Sequence, residues 1–125
     1  MYSETAQRLI VELPNRGKLQ DATHTARAEN PVCGDITDLF LKVEKDVVVA
    51  CRFQTYGCPA AIAASAAVTL LCGGKSLEAC RQITSQSILD FLEGLPRHKL
   101  HGADLAAEAL EKALREGEGT RSRGC

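Results

Sequence analysis

The sequence has no tryptophan, a single methionine and only 4% aromatic residues. So few aromatics leave no row of flat side chains on which the bases of a single strand stack. A dominant charge is missing as well: 15 Lys and Arg stand against 16 Asp and Glu, a formal net charge of −1. Without a basic excess the surface lacks the cations that neutralise a phosphate backbone, so nucleic acid is not an expected partner. The uncharged stretch over residues 59–74 is rich in Ala and Gly. It is shorter than the roughly 20 predominantly apolar residues that cross a bilayer. Met1-Tyr2-Ser3-Glu4 lacks the basic segment followed by an apolar one that marks a secretory signal. The expectation is a soluble cytoplasmic protein with no membrane partner.

What remains is the composition of an ordinary globular chain, 125 residues with 45% hydrophobic and 25% charged. That length suits one domain with a single modest core. Ala6, Leu9, Ile10 and Leu13 fall at helical spacing over residues 3–13, with Ser3 as a cap and Pro14-Asn15-Arg16-Gly17 as a stop. Residues 21–28 are weakly patterned and suit an edge strand. Residues 36–44 and 46–54 read as strands joined in a hairpin at Lys45-Asp46, with Val47, Val49, Cys51 and Phe53 on one face by period two. A helix follows from Pro59 to Gly73-Gly74. Shorter helices are expected over 76–83 and 85–92, and a last one over 103–115, where Glu108–Lys112 and Glu111–Arg115 form i,i+4 pairs. Residues 116–125, rich in Gly, Arg and Ser, are expected to be a disordered tail. Strands come first and most helices follow, which is an α+β order.

Six cysteines need a reason in a cytosolic chain, where thiols stay reduced and disulfides are rare. Cys33-Gly34-Asp35 sets a thiol and a carboxylate two residues apart across a bendable glycine, so both can reach one ion. Thiolate is a soft donor and carboxylate a harder one. Cys58 falls at the N-terminus of the helix that Pro59 begins. The helix dipole and free N–H groups there are expected to lower the thiol pKa. His101, just before the last helix, offers an imidazole of the kind that binds zinc or iron. His24 and His98 have no such company and read as surface residues. Cys51 reads as core, and Cys72 and Cys80 as structural. Cys72 lies about 20 Å from Cys58 at 1.5 Å per residue, too far to share an ion with it. Cys125 is free to reach the site or to link two chains.

Taken together, several segments resemble one family. They are Asn30-Pro31-Val32-Cys33-Gly34-Asp35, the stretch from Arg52 through Tyr56-Gly57-Cys58-Pro59 to Ser65, Gly74-Lys75-Ser76-Leu77, Leu95-Pro96, and Lys99-Leu100-His101. In order and spacing they resemble the IscU/NifU N-terminal family of iron–sulfur scaffolds over nearly the whole chain. The resemblance implies a three-stranded antiparallel sheet packed against helices on one side, as a domain over residues 1–115. It implies a metal site from Cys33, Asp35, Cys58 and His101, with Lys99 biasing it toward anionic thiolates. It implies a transient [2Fe–2S] cluster built with sulfur from a cysteine desulfurase and passed to apo-protein recipients. An Hsp70-type chaperone is an implied partner, and a homodimer is open.

Two departures stand out. The family usually reads Lys-x-His-Cys where this chain has Lys99-Leu100-His101-Gly102, so the third cysteine is missing. Its chaperone segment usually reads Leu-Pro-Pro-Val-Lys, here Leu95-Pro96-Arg97-His98-Lys99. Two other readings therefore fit the same residues. One is a Zn2+-binding sulfur acceptor or desulfurase partner, and the other a regulatory relative without cluster chemistry. No acid–base pair or phosphate loop points to an enzyme.

Overall fold

A computed structural model describes the backbone over residues 1–124 and the side chains over residues 1–115. The expected tail over residues 116–125 lies outside the fully described part, and Cys125 with it.

Helix α1 spans Glu4–Glu12. Its start is set by Ser3, whose hydroxyl accepts the Ala6 N–H at 3.0 Å and donates to the carbonyl of Leu92. One side chain thus caps a helix and ties it to a distant segment. Three strands follow: β1 (His24–Glu29), β2 (Ile36–Glu44) and β3 (Val47–Tyr56), in the order β1-β2-β3, all antiparallel. Lys45 and Asp46 turn the β2–β3 hairpin with φ of 52° and 63°. Positive φ at both central residues is the turn whose twist matches the strands.

The two-residue period expected along β3 breaks. Lys42 pairs with Ala50 but Val43 pairs with Val48, so Val49 is an extra, bulged residue. A bulge moves every side chain beyond it to the other face. Cys51 and Phe53 therefore share the core with Val48, while Val49 is 49% exposed. This corrects the expected face of Val47 and Val49. The outer edge of β3 is covered by loops. The Gly17 N–H donates to Phe53 and the Phe53 N–H to Asn15, while Val48 exchanges bonds with Gly74 and Lys75. The outer edge of β3 is therefore not left bare to recruit another strand.

The helices α2 (Pro59–Cys72), α3 (Leu77–Arg81), α4 (Ser85–Leu92) and α5 (His101–Gly124) complete the chain, with a 3-10 turn at Arg97–Lys99. That turn was not foreseen, and α5 starts two residues earlier than expected. Alternate residues of the sheet face inward: Ala28, Thr37, Leu39, Leu41, Cys51 and Phe53 are all buried. The other face carries solvent-exposed polar pairs such as Arg27–Asp38 at 2.7 Å. The helices thus lie on one side of the sheet. Helix α2 is buried nearly all round, with Ala60, Ala61, Ala63, Ala64, Ala66 and Ala67 at 0% exposure. Small side chains let sheet and helices close on it. His24, expected at the surface, is only 5% exposed because β1 points it inward. Among the described residues no helix is long and apolar enough to cross a membrane.

Beneath the ends of β2 and β3, three hydroxyls join sheet to helix. Thr37 and Thr55 lie 3.2 Å apart, and Ser65 of α2 lies 3.0 Å and 2.9 Å from them while donating to the Ala61 carbonyl. Removing one member leaves buried polar atoms short of a partner. Ser65→Ala should therefore lower unfolding stability by about 1–3 kcal/mol in urea denaturation, with secondary structure by circular dichroism unchanged.

Candidate metal centre

Three segments meet at one end of the sheet. The first is the loop before β2. Asn30 folds it, its side-chain oxygen accepting from Val32 at 2.9 Å and its carbonyl from Gly34 at 2.7 Å. The Asn30 N–H closes the loop on the Asp35 carbonyl at 2.9 Å. Gly34 takes φ +79°, a left-handed conformation that costs glycine little. The result turns Cys33 outward and Asp35 inward: Cys33 is exposed and Asp35 is 5% exposed.

The second segment is Gly57-Cys58. A Cβ on Gly57 would lie 2.4 Å from an Asp35 carboxylate oxygen and 2.9 Å from the Asp35 Cβ. Only a residue with no side chain lets the carboxylate rest there. Cys58 is the N-cap of α2, with Pro59 after it. Its N–H donates to Asp35 Oδ1 at 3.3 Å and its thiol to Oδ2 at 3.2 Å. Burial pushes the Cys58 pKa up, and the Asp35 carboxylate pushes the same way, outweighing the N–H groups of Ala61 and Ala60 that lower it. The expected lowering at a helix start is thus corrected. The dipole is present, but half-burial beside an anion favours the neutral thiol.

The third segment is the first turn of α5. It places His101 Nε2 at 3.8 Å from Asp35 Oδ2. Ligand atoms of Cys33, Asp35 and His101 all lie within 4.8 Å of one another. Donors about 2.0–2.3 Å from a shared ion stand at most about 4.6 Å apart, so the set needs little movement to close on one. Cys58 joins it through Asp35. The structure thus brings three of the four candidate ligands into one set, with Cys58 reaching it through its bonds to the Asp35 carboxylate. Lys99 is half-buried in the 3-10 turn just before His101, and among the described residues it forms no ion pair with the centre.

Sequence reading missed what holds α5 in place. A Cβ at Gly102 would meet the Ala60 carbonyl carbon at 2.9 Å, and the Ala60 oxygen and Ala61 nitrogen at 3.0 Å. These are backbone atoms and cannot swing aside. The first turns of α2 and α5 touch backbone to backbone. The sequence signal was the pair of small residues Ala60 and Gly102, visible only as a missing cysteine.

The NifU-like N terminal domain family matches residues 1–123. The chain is 39% identical over 114 residues to iron–sulfur cluster assembly scaffold protein IscU 1 of Archaeoglobus fulgidus, covering 91% of this chain and 74% of that protein. It is 35% identical over 117 residues to iron–sulfur cluster assembly scaffold protein IscU of Aquifex aeolicus, covering 92% and 74%. Among solved structures, an N-terminal NifU-like protein from Brucella abortus superposes with a TM-score of 0.75 at 17% identity over 94% of each chain. At that identity the last match speaks for the fold alone.

Gly102→Ala forces a methyl into the α2–α5 contact and should cost about 1–3 kcal/mol of stability. Because it moves His101, it should also weaken zinc binding, as read by competition with a chromophoric chelator. At neutral pH, iodoacetamide should modify Cys33 well before Cys58, whose proton is held. Asp35→Ala removes one cause of the raised pKa and frees space, so Cys58 alkylation should begin at lower pH, followed by mass spectrometry. An unchanged pH profile would separate Asp35 from the thiol.

Proposed function

Because the chain belongs to the NifU-like N terminal domain family, we propose that it is a scaffold on which a [2Fe–2S] cluster is assembled and from which it is passed on. The observation that carries the reading is the convergence of Cys33, Asp35 and His101 within 4.8 Å, with the Cys58 thiol 3.2 Å from Asp35. The cluster is cargo here, not a resident cofactor. Two irons bridged by sulfides require four protein ligands in all, and Cys ligands can be replaced by His in such centres. Cys33 and Cys58 supply thiolates, His101 an imidazole and Asp35 a harder carboxylate that loosens the hold. Weak retention suits a donor. Relatives named as iron–sulfur cluster assembly scaffold proteins support the reading.

Sulfur comes from a cysteine desulfurase. Cys33, the exposed thiol, attacks the outer sulfur of the partner's persulfide as thiolate, the partner's cysteine leaves as thiolate, and Cys33 keeps the persulfide. The Cys58 thiol is half-covered and hydrogen-bonded, so it serves as a ligand. Apo iron–sulfur proteins are the recipients, and an Hsp70-type chaperone binding at residues 95–99 is the further partner. The place of action is the cytoplasm, and the role is that of a carrier, not an enzyme.

One observation favours a second reading. With Gly102 packed on Ala60, position 102 supplies no thiol, and the N, O and S donors of the described residues suit tetrahedral zinc. A resident Zn2+ would protect Cys33 and Cys58 until a sulfur donor arrives. Because ligands must shed protons to bind, affinity for either metal should climb with pH, most steeply through the raised Cys58 pKa.

Anaerobic purification after expression with iron supplied separates these. The scaffold reading expects iron and acid-labile sulfide in equal amounts and a visible absorption that Cys33→Ser abolishes. About one zinc per chain without sulfide would replace it with the zinc reading. Absence of any metal would overturn both in favour of a regulatory relative.

A further inference from the structure

The sheet has two edges, and loops close only one of them, the free side of β3. On β1 the direction of each backbone group follows from one bond just past the strand. The Asn30 N–H reaches the Asp35 carbonyl at 2.9 Å, in register with the pairing of Glu29 and Ile36. Opposed residues in an antiparallel pair alternate between bonded and non-bonded. His24, Ala26 and Ala28 therefore spend their N–H and C=O groups on β2, while Thr25, Arg27 and Glu29 turn theirs away from the sheet. Among the described residues these three outward N–H groups have no acceptor. One outward carbonyl is covered, that of Arg27, which accepts from Lys112 Nζ at 3.2 Å.

A row of bare edge donors is a template for another strand, and the side chains beside it select which strand. Thr25, Arg27 and Glu29 all stand exposed on the outer face. At one end is Glu29. At the other, Lys18 lines a cavity of about 350 Å³ together with Thr25 and Phe40. Among the described residues neither Glu29 nor Lys18 has an ion-pair partner. The charges between and around them are already matched. Arg27 Nε and Nη2 donate to Asp38 Oδ1 and Oδ2 at 2.7 Å and 2.9 Å, which draws the guanidinium back over β2. Lys42 holds Asp21 and Glu44 at 2.8 Å and 3.4 Å, and Lys112 faces Glu108 at 3.9 Å. The edge is thus basic at its Thr25 end and acidic at its Glu29 end. An antiparallel strand that complements it carries the opposite order, which is what a second β1 presents when turned about a two-fold axis.

One register uses the whole strand. With Arg27 on the axis, Thr25 lies opposite Glu29 of the other copy, and every outward N–H meets a carbonyl once Lys112 swings aside. A shift by two residues one way sets Pro31, which has no N–H, opposite Thr25. The same shift the other way calls on Thr23, whose N–H is already bonded to the Leu41 carbonyl at 2.8 Å.

We propose that β1 is a docking edge for a second copy of this chain, paired antiparallel about Arg27 so that two three-stranded sheets become one, with Lys18 of each copy meeting Glu29 of the other. Such a contact uses the same surface on both partners and closes at two. Lys112 competes with it for the Arg27 carbonyl.

The test is sedimentation equilibrium of the full chain over a concentration series, with chelator and reductant present so that neither a shared metal nor Cys125 links the copies. A monomer–dimer equilibrium is expected, with amide hydrogen exchange at Thr25, Arg27 and Glu29 slowing as concentration rises. Thr25→Pro removes one outward donor per strand and leaves the β1–β2 ladder intact, as an edge position tolerates. It should weaken the dimer by at least about tenfold, because two hydrogen bonds per dimer are lost, with circular dichroism unchanged. Lys112→Ala should tighten it. A chain that stays monomeric throughout the series overturns the proposal and leaves the edge to some other protein's strand. A dimer that withstands Thr25→Pro, or one whose three outward amides exchange at the same rate at every concentration, overturns it too, since its interface lies elsewhere.

Discussion

The backbone contact between the first turns of α2 and α5, with no side chain between them at Gly102, is the constraint on which the candidate metal centre depends. Cys58 sits at the start of one helix and His101 at the start of the other. Their separation is therefore set by how closely the two helix axes approach. A methyl at position 102 would hold the helices apart by the thickness of a side chain and carry His101 away from Asp35. Protein interiors close-pack and transmit such strain to their neighbours. The alanines of α2 extend the same logic along the helix. Each small residue removes a spacer, and the centre inherits the precision of a packed core although it stands at the surface.

Asp35 is the second element of that arrangement. A carboxylate this buried needs partners for its oxygens. Here they are the N–H and thiol of Cys58, with His101 3.8 Å away. The pair resolves a conflict between the two groups. Asp35 is kept hydrogen-bonded by holding the Cys58 proton in place, at the expense of thiolate character. A cation arriving between them would take the place of that proton as the shared partner of sulfur and oxygen. The hydrogen bond thus preserves the geometry that coordination needs.

Much of this was legible in the sequence, and the exceptions have physical causes. The helices and the hairpin were readable because cap residues, glycine stops and hydrophobic periods agree at Ser3, Lys45-Asp46, Pro59 and Gly73. That Cys33, Asp35 and His101 would lie near one another was legible because linked short motifs resemble one family, and the three do meet within 4.8 Å. The face of β3 was misread because a bulge at Val49 leaves no mark in a local pattern; it is decided by pairing with β2. The direction of the Cys58 pKa was misread because the dipole is local to the helix, whereas burial and Asp35 come from elsewhere in the chain. Gly102 was seen only as a cysteine that was not there. Its role lies in the distance to Ala60, 42 residues earlier in the sequence, and a tertiary approach of that kind has no signature in spacing.

The two ends of α2 show how environment divides one residue type into different chemistries. At its N-terminus Cys58 has backbone N–H groups, a carboxylate and a nearby imidazole, with Cys33 open to solvent. Donors of mixed hardness at an accessible edge favour exchange, since a bound ion can always be approached by a competing ligand. At the C-terminus Cys72 is fully buried in the core, where the neighbouring Cys51 and burial hold its thiol protonated. There the cost of removing charge from water favours the neutral thiol over the thiolate. Six cysteines in one small chain need not act as a pool. The helix between Cys58 and Cys72 keeps the two sets apart, so a thiol at either end is committed to its own neighbours by the fold alone.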